Sequence, residues 1–182
     1  MKDQLKELIK DYAKVYIAFE KLQSGENPTF STGDQKTGVI AEYYAKCFID
    51  YTFKVVSEYA KPGASHDLSY QIDGDNIKVQ VKGVSAHSIT RTIAPLNLKL
   101  SDGKAPFDYL YLISLNEYFV PDGFYINTYT EIHQRLRDRA DIRERIVGST
   151  MKGKSLHSIE KKGHRLFDFS NNKVNELTKI IS

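Results

Sequence analysis

The stretch His66–Gly83 reads HDLSYQIDGDNIKVQVKG. Asp67 to Ile72 alternates polar and apolar residues with period two, and so does Ile77 to Lys82. Between them, Asp73-Gly74-Asp75-Asn76 is a tight-turn signal, because Gly and Asn accept the positive φ that hairpin turns require. A two-residue loop centred on Gly74-Asp75 predicts a register. Ile72 then faces Ile77, Tyr70 faces Val79, Ser69 faces Gln80, and Asp67 faces Lys82. Alternation puts Leu68, Tyr70, Ile72, Ile77, Val79 and Val81 on one face, which reads as core. Asp67, Ser69, Gln71, Lys78, Gln80 and Lys82 share the other. At the end far from the turn, that polar face gathers a carboxylate, an amide and an ammonium.

These groups suit phosphodiester hydrolysis. Such a reaction needs anionic oxygens to hold a divalent cation, and a cation to orient water and neutralise developing charge. Asp67 supplies a carboxylate oxygen, Gln80 a neutral side-chain oxygen and Val81 a carbonyl. Lys82 is placed to orient or deprotonate water. An incomplete shell of hard oxygens suits Mg²⁺, which keeps several waters of its own. The competing reading is plain: polar residues alternate on the outer face of many half-exposed hairpins, and an Asp across from a Lys is a common cross-strand pair.

The remaining chain sets the frame. At 182 residues it is read as a single domain, residues 1–182. The hydrophobic fraction of 41% is that of a globular protein, not of a disordered one. No apolar run approaches the roughly 20 residues of a membrane span. The first residues, MKDQLKELIKDY, are charged where a signal peptide would be apolar, so a cytoplasmic protein is expected. The single cysteine, Cys47, excludes an internal disulfide and a multi-cysteine zinc site. It falls on an apolar helix stripe and reads as core. The five histidines show no zinc-type spacing, although His66 and His87 flank the hairpin site.

Apolar spacing predicts an amphipathic helix over 3–23 and a second over about 35–59, capped by Thr32–Asp34. After the hairpin, short strands are expected over 88–93 and 108–115, the second buried within the sheet. A turn at Pro121-Asp122-Gly123 leads into another strand. A charged helix over 129–147, a last short strand over 166–169 and a helix over 172–181 complete the order. Helices, then strands, then helices imply an α/β or α+β fold, a mixed central sheet flanked by helices. Between Glu131 and Arg165 there are ten Lys/Arg against five Asp/Glu, a basic segment suited to a phosphate backbone or to a solvated helix face.

Gly148–Ser155, GSTMKGKS, fits the P-loop string letter for letter. A P-loop needs a buried strand before it and a helix after it, so that backbone amides cradle phosphate. ADIRERIV before it is charged and helical in pattern, and Gly163 breaks the segment after it. No nucleotide cofactor is expected.

Asp67, twelve intervening residues, then Gln80-Val81-Lys82 across a hairpin resembles the PD-(D/E)xK nuclease superfamily, which includes many restriction endonucleases. His66-Asp67 stands for the usual Pro-Asp. Gln80-Val81-Lys82 stands for Glu-x-Lys, in the Gln-x-Lys form of the Mrr-type restriction nucleases. The family's helix glutamate corresponds to Glu42 in GVIAEYYAK. The resemblance covers roughly residues 35–145, leaving 146–182 as a basic C-terminal extension, and implies a restriction endonuclease-like αβββαβ core. It implies an endodeoxyribonuclease, a phosphodiester hydrolase of the type II-like restriction class. Catalytic Asp67, Gln80, Lys82 and Glu42 would act on DNA, with Mg²⁺ (or Mn²⁺ in its place) held by Asp67, Gln80, Val81 and Glu42. Cutting both strands would favour a homodimer. The alternative is a nucleic-acid-binding module on the same fold that has lost catalysis.

Overall fold

The computed structural model describes residues 2–24, 28–31, 36–87, 96, 98, 104–137 and 167–182. Among them are four helices and five strands. In chain order they are α1 (Lys2–Gln23), α2 (Lys36–Phe53), β1 (Glu58–Tyr59), β2 (Leu68–Ile72), β3 (Asp75–Ser85), β4 (Tyr109–Leu115), β5 (Pro121–Thr128), α3 (Tyr129–Arg137) and α4 (Val174–Ile181). The strands form one mixed sheet in the order β1-β2-β3-β4-β5. Only β3 and β4 run parallel; the other neighbours are antiparallel. The fold is α+β, with helices packed on the sheet.

The hairpin turns on Asp73 and Gly74, at φ of 51° and 89°. Two successive positive φ values are what Asp-Gly accommodates in a two-residue loop. The register is therefore two residues away from the sequence expectation: Ile72 faces Asp75, Tyr70 faces Ile77 and Leu68 faces Val79. A shift of two leaves every side chain on its expected face. It does move the far end, where Asp67 now lies across from Gln80 rather than Lys82.

Both faces of the sheet are covered. Val79 and Val81 of β3 pack with Ala41, Ala45, Phe48 and Ile49 of α2, and with Leu177 of α4. Phe48 meets Tyr111 and Phe124 edge to face. On the other face Leu110 and Leu112 pack with Leu98, Phe107, Ile132 and Phe167. Gly83 lets α2 lie close to β3. A Cβ there would stand 2.7 Å from the Ala41 Cβ and 2.9 Å from the Thr37 carbonyl oxygen.

Three boundaries differ from the sequence reading, each for a local reason. α2 stops at Phe53 rather than near Tyr59. Lys54 takes a left-handed conformation, φ 55°, and Asp50 accepts hydrogen bonds from the Ser57 amide (2.7 Å) and hydroxyl (2.6 Å). The chain then enters the short β1. Pro121-Asp122-Gly123 is strand, not turn. The reversal comes earlier, where Asn116 Oδ1 accepts from the amides of Tyr118 (2.9 Å) and Val120 (3.1 Å) and Phe119 has φ 58°. Phe167–Phe169 is irregular rather than strand. It is fastened to β5 by Asn127, whose Oδ1 accepts from the Asp168 amide at 2.6 Å. Phe167 and Leu177 contribute to the buried clusters. Cys47 is free and half-buried. The expected strand over 88–93, the end of the 129–147 helix, the cap at 32–34 and the P-loop-like 148–155 lie outside the described residues.

Candidate active site

β3 is longer than its partner β2, and the site sits where they part. β2 pairs with the first half of β3, up to Val79, whereas β4 pairs with Val79 to Ser85. The last backbone rung between β2 and β3 is Asp67 N–H to the Val79 carbonyl, at 2.9 Å. Beyond it, among the described residues, no strand pairs with that edge of β3, and the Val81 amide and carbonyl face it. Asp67 meets the open edge with its side chain. Its Oδ2 accepts the Val81 amide at 2.6 Å, and also accepts from Gln80 Nε2. A carboxylate thus closes the ladder where a strand would otherwise continue. Gln80 Nε2 lies 3.3 Å from the Val81 carbonyl as well.

Lys82 follows Gln80 by two and shares its face. Glu42 comes from α2, which covers the opposite face of β3. The small residues Ala41, Ala45 and Gly83 let this helix approach, and Glu42 enters the field of both Asp67 and Lys82. The four residues come from three elements: the residue before β2, β3, and α2.

Electrostatics tie them together. Burial raises the Glu42 carboxyl to about 7. The Ser31 hydroxyl lowers it, Asp67 adds to the rise and Lys82 opposes it. Asp67 is also raised by burial, against the Val81 amide and Lys82, which favour its charged form. Lys82 is lowered by burial, while Asp67 and Glu42 pull it back. Two carboxyls and one amine are thus all driven toward their neutral forms, and each feels at least one other member of the cluster.

Two further residues at the site, Ser31 and Tyr59, carry no signal in the sequence. Ser31 is buried beside Glu42. Tyr59 also feels Glu42 and donates to the Thr29 carbonyl at 3.0 Å, tying residues 28–31 to the site. No local pattern marks Ser31 or Tyr59, because they reach Glu42 only through tertiary packing. His66 is partly buried, and among the described residues its buried Nδ1 has no hydrogen-bond partner. Burial and Lys78 both disfavour its protonated form. His87 lies away from this cluster, against Phe119, with its Nε2 2.9 Å from the Glu117 carbonyl.

Four oxygen sources match a hard divalent cation in type: the Asp67 and Glu42 carboxylates, the Gln80 carboxamide and the Val81 carbonyl. Among the described residues, no group of three or more His, Cys, Asp or Glu side chains is gathered to hold a metal ion. Any cation here would rely on neutral oxygens and water for the rest of its shell, which Mg²⁺ accepts.

No protein-family model matches the chain, and no curated protein matches it. Among solved structures the chain is similar to a bacterial homing endonuclease, at 20% identity and a TM-score of 0.34, over 53% of this chain and 70% of that one. Among the described residues no helix is long and apolar enough to cross a membrane.

Proposed function

We propose that the protein is a Mg²⁺-dependent DNA endonuclease of the type II-like restriction class, with Asp67, Gln80, Lys82 and Glu42 as its catalytic residues. The observation that carries this reading is the convergence beside β3 of two carboxyls and a lysine, all half-buried and each in the electrostatic field of another. A surface cross-strand pair would not gather three ionisable groups, all partly withdrawn from water, from three separate segments.

In this reading Asp67 and Glu42, with the Gln80 and Val81 oxygens, hold the cation. Bound Mg²⁺ (or Mn²⁺) would supply Lewis-acid stabilisation of charge on the scissile phosphate. Lys82, depressed by burial, orients the attacking water by hydrogen bonding and takes up its proton more readily when neutral. Asp67 is fixed by the Val81 amide, so its free lone pairs point to a constant place. Two copies acting together would cut both strands of a duplex.

Plasmid nicking with Mg²⁺ or Mn²⁺ tests the proposal, comparing wild type with Lys82→Ala and Asp67→Ala. Loss of roughly a hundredfold or more is expected for each. Cleavage unchanged in both variants would sink the assignment. Gln80 favours one other reading, an inactive DNA-binding module, because an amide removes a negative charge from the cation site. DNA binding without any cleavage by the wild type would select it.

A further inference from the structure

The Gln80 carboxamide has two unlike ends, and its surroundings discriminate between them. Nε2 donates to Asp67 Oδ2 and lies 3.3 Å from the Val81 carbonyl oxygen. Both neighbours are acceptors on this side: Asp67 as a carboxylate, Val81 as a carbonyl. Only the NH₂ end of an amide can face two acceptors favourably; the oxygen end would oppose lone pair to lone pair. These are the same two oxygens that a divalent cation would use. A cation between them reverses the preference, since it attracts Oε1 and repels the N–H dipoles.

We propose that Gln80 is a built-in cation surrogate. Without metal its NH₂ group bridges Asp67 and the Val81 carbonyl, and the carboxamide must turn end for end, presenting Oε1, when a divalent cation binds. The inference rests on the metal-dependent reading above but concerns cation entry, not cleavage. A carboxylate at position 80 has no donor end. It would leave Asp67 facing a second anion in the metal-free protein, and would add negative charge to the shell when a cation is bound.

The test uses the full-length ¹⁵N-labelled chain. The Gln80 side-chain amide resonances are identified by their absence in Gln80→Glu. In metal-free wild type their protons are expected to exchange slowly with solvent. Added Mg²⁺ should move both resonances and speed their exchange by at least about tenfold. By calorimetry, Gln80→Glu should bind Mg²⁺ at least about tenfold more tightly than wild type, because ligand charge count sets affinity. Its thermal midpoint should fall in EDTA and rise on Mg²⁺ addition by more than that of wild type. The proposal is overturned if Mg²⁺ binds wild type while the Gln80 resonances and exchange stay unchanged. It is equally overturned if Gln80→Glu binds no more tightly, or if neither protein binds Mg²⁺. The nuclease reading fails separately: a protein that never nicks DNA but whose Gln80 amide responds to Mg²⁺ loses the activity and keeps the surrogate.

Discussion

Burial lifts the Glu42 carboxyl from 4.5 to about 7, and this has a consequence for stability that does not depend on catalysis. Between those values the folded protein holds a proton at Glu42 that the unfolded chain releases. Stability from this group is therefore intact below about 4.5 and falls as pH rises through about 7. Glu42→Gln keeps the shape and removes the charge. In EDTA at pH 8 it is expected to be more stable than wild type by roughly 1–3 kcal/mol, with the gap closing near pH 4.5. Urea unfolding at the two pH values measures this. A variant no more stable at pH 8 would mean that Glu42 ionises in contact with water.

At the scale of elements, the close approach of α2 to β3 is what delivers Glu42. Gly83→Ala would push a methyl against the Ala41 Cβ and the Thr37 carbonyl. Both belong to a helix that can yield only as a body. A loss of about 1–3 kcal/mol is expected by urea unfolding, with weaker Mg²⁺ binding because Glu42 moves with the helix. The other end of α2 depends on Asp50, which accepts from Ser57 and from Lys46 at 2.8 Å. Those bonds hold its carboxyl below the usual range, although burial opposes them. Its contribution is present above the ordinary Asp value and is lost as pH falls through the lowered one. Asp50→Asn should cost about 1 kcal/mol at pH 7, and the difference should shrink in acid; equal stability at pH 7 would show that the helix end needs no such anchor.

The same elements show how far the sequence could be read. Period-two alternation identified the hairpin and both its faces, because alternation survives any shift by two. It could not fix which residue faces Asp67, because Asp-Gly and Gly-Asp are both acceptable turn centres on composition alone. Helix periodicity found α2 but overran its end, since Lys54 adopts a conformation usually left to glycine. The turn at Asn116 was hidden by the stronger-looking Pro-Asp-Gly a few residues later. Glu42 came only through the family resemblance: on the helix it looks like any exposed glutamate, and its meaning depends on how near α2 lies to β3.

At the scale of the molecule, the C-terminal helix is part of the core. Leu177 is fully buried among residues of α2 and the sheet, and the Lys173 amide donates to the Phe124 carbonyl at 2.7 Å. Leu177→Ala is expected to cost roughly 2–5 kcal/mol in a single cooperative transition seen by urea unfolding. Separate transitions for α4 and the sheet would show that the helix docks independently.

The spacing of the site residues along the chain bears on how the site forms. Asp67 reaches Gln80 and Val81 across 13 and 14 residues of chain, through a turn that forms on the microsecond scale. Glu42 must meet Lys82 from a separate helix, and the parallel β3–β4 pairing must close a longer loop before it gains anything. Half of the site is therefore local and half is topological. In a kinetic mutant series, substitutions at Asp67 are expected to slow refolding, while those at Glu42 mainly alter unfolding. Early formation of this hairpin would pair Asp67 with Gln80 before α2 delivers Glu42.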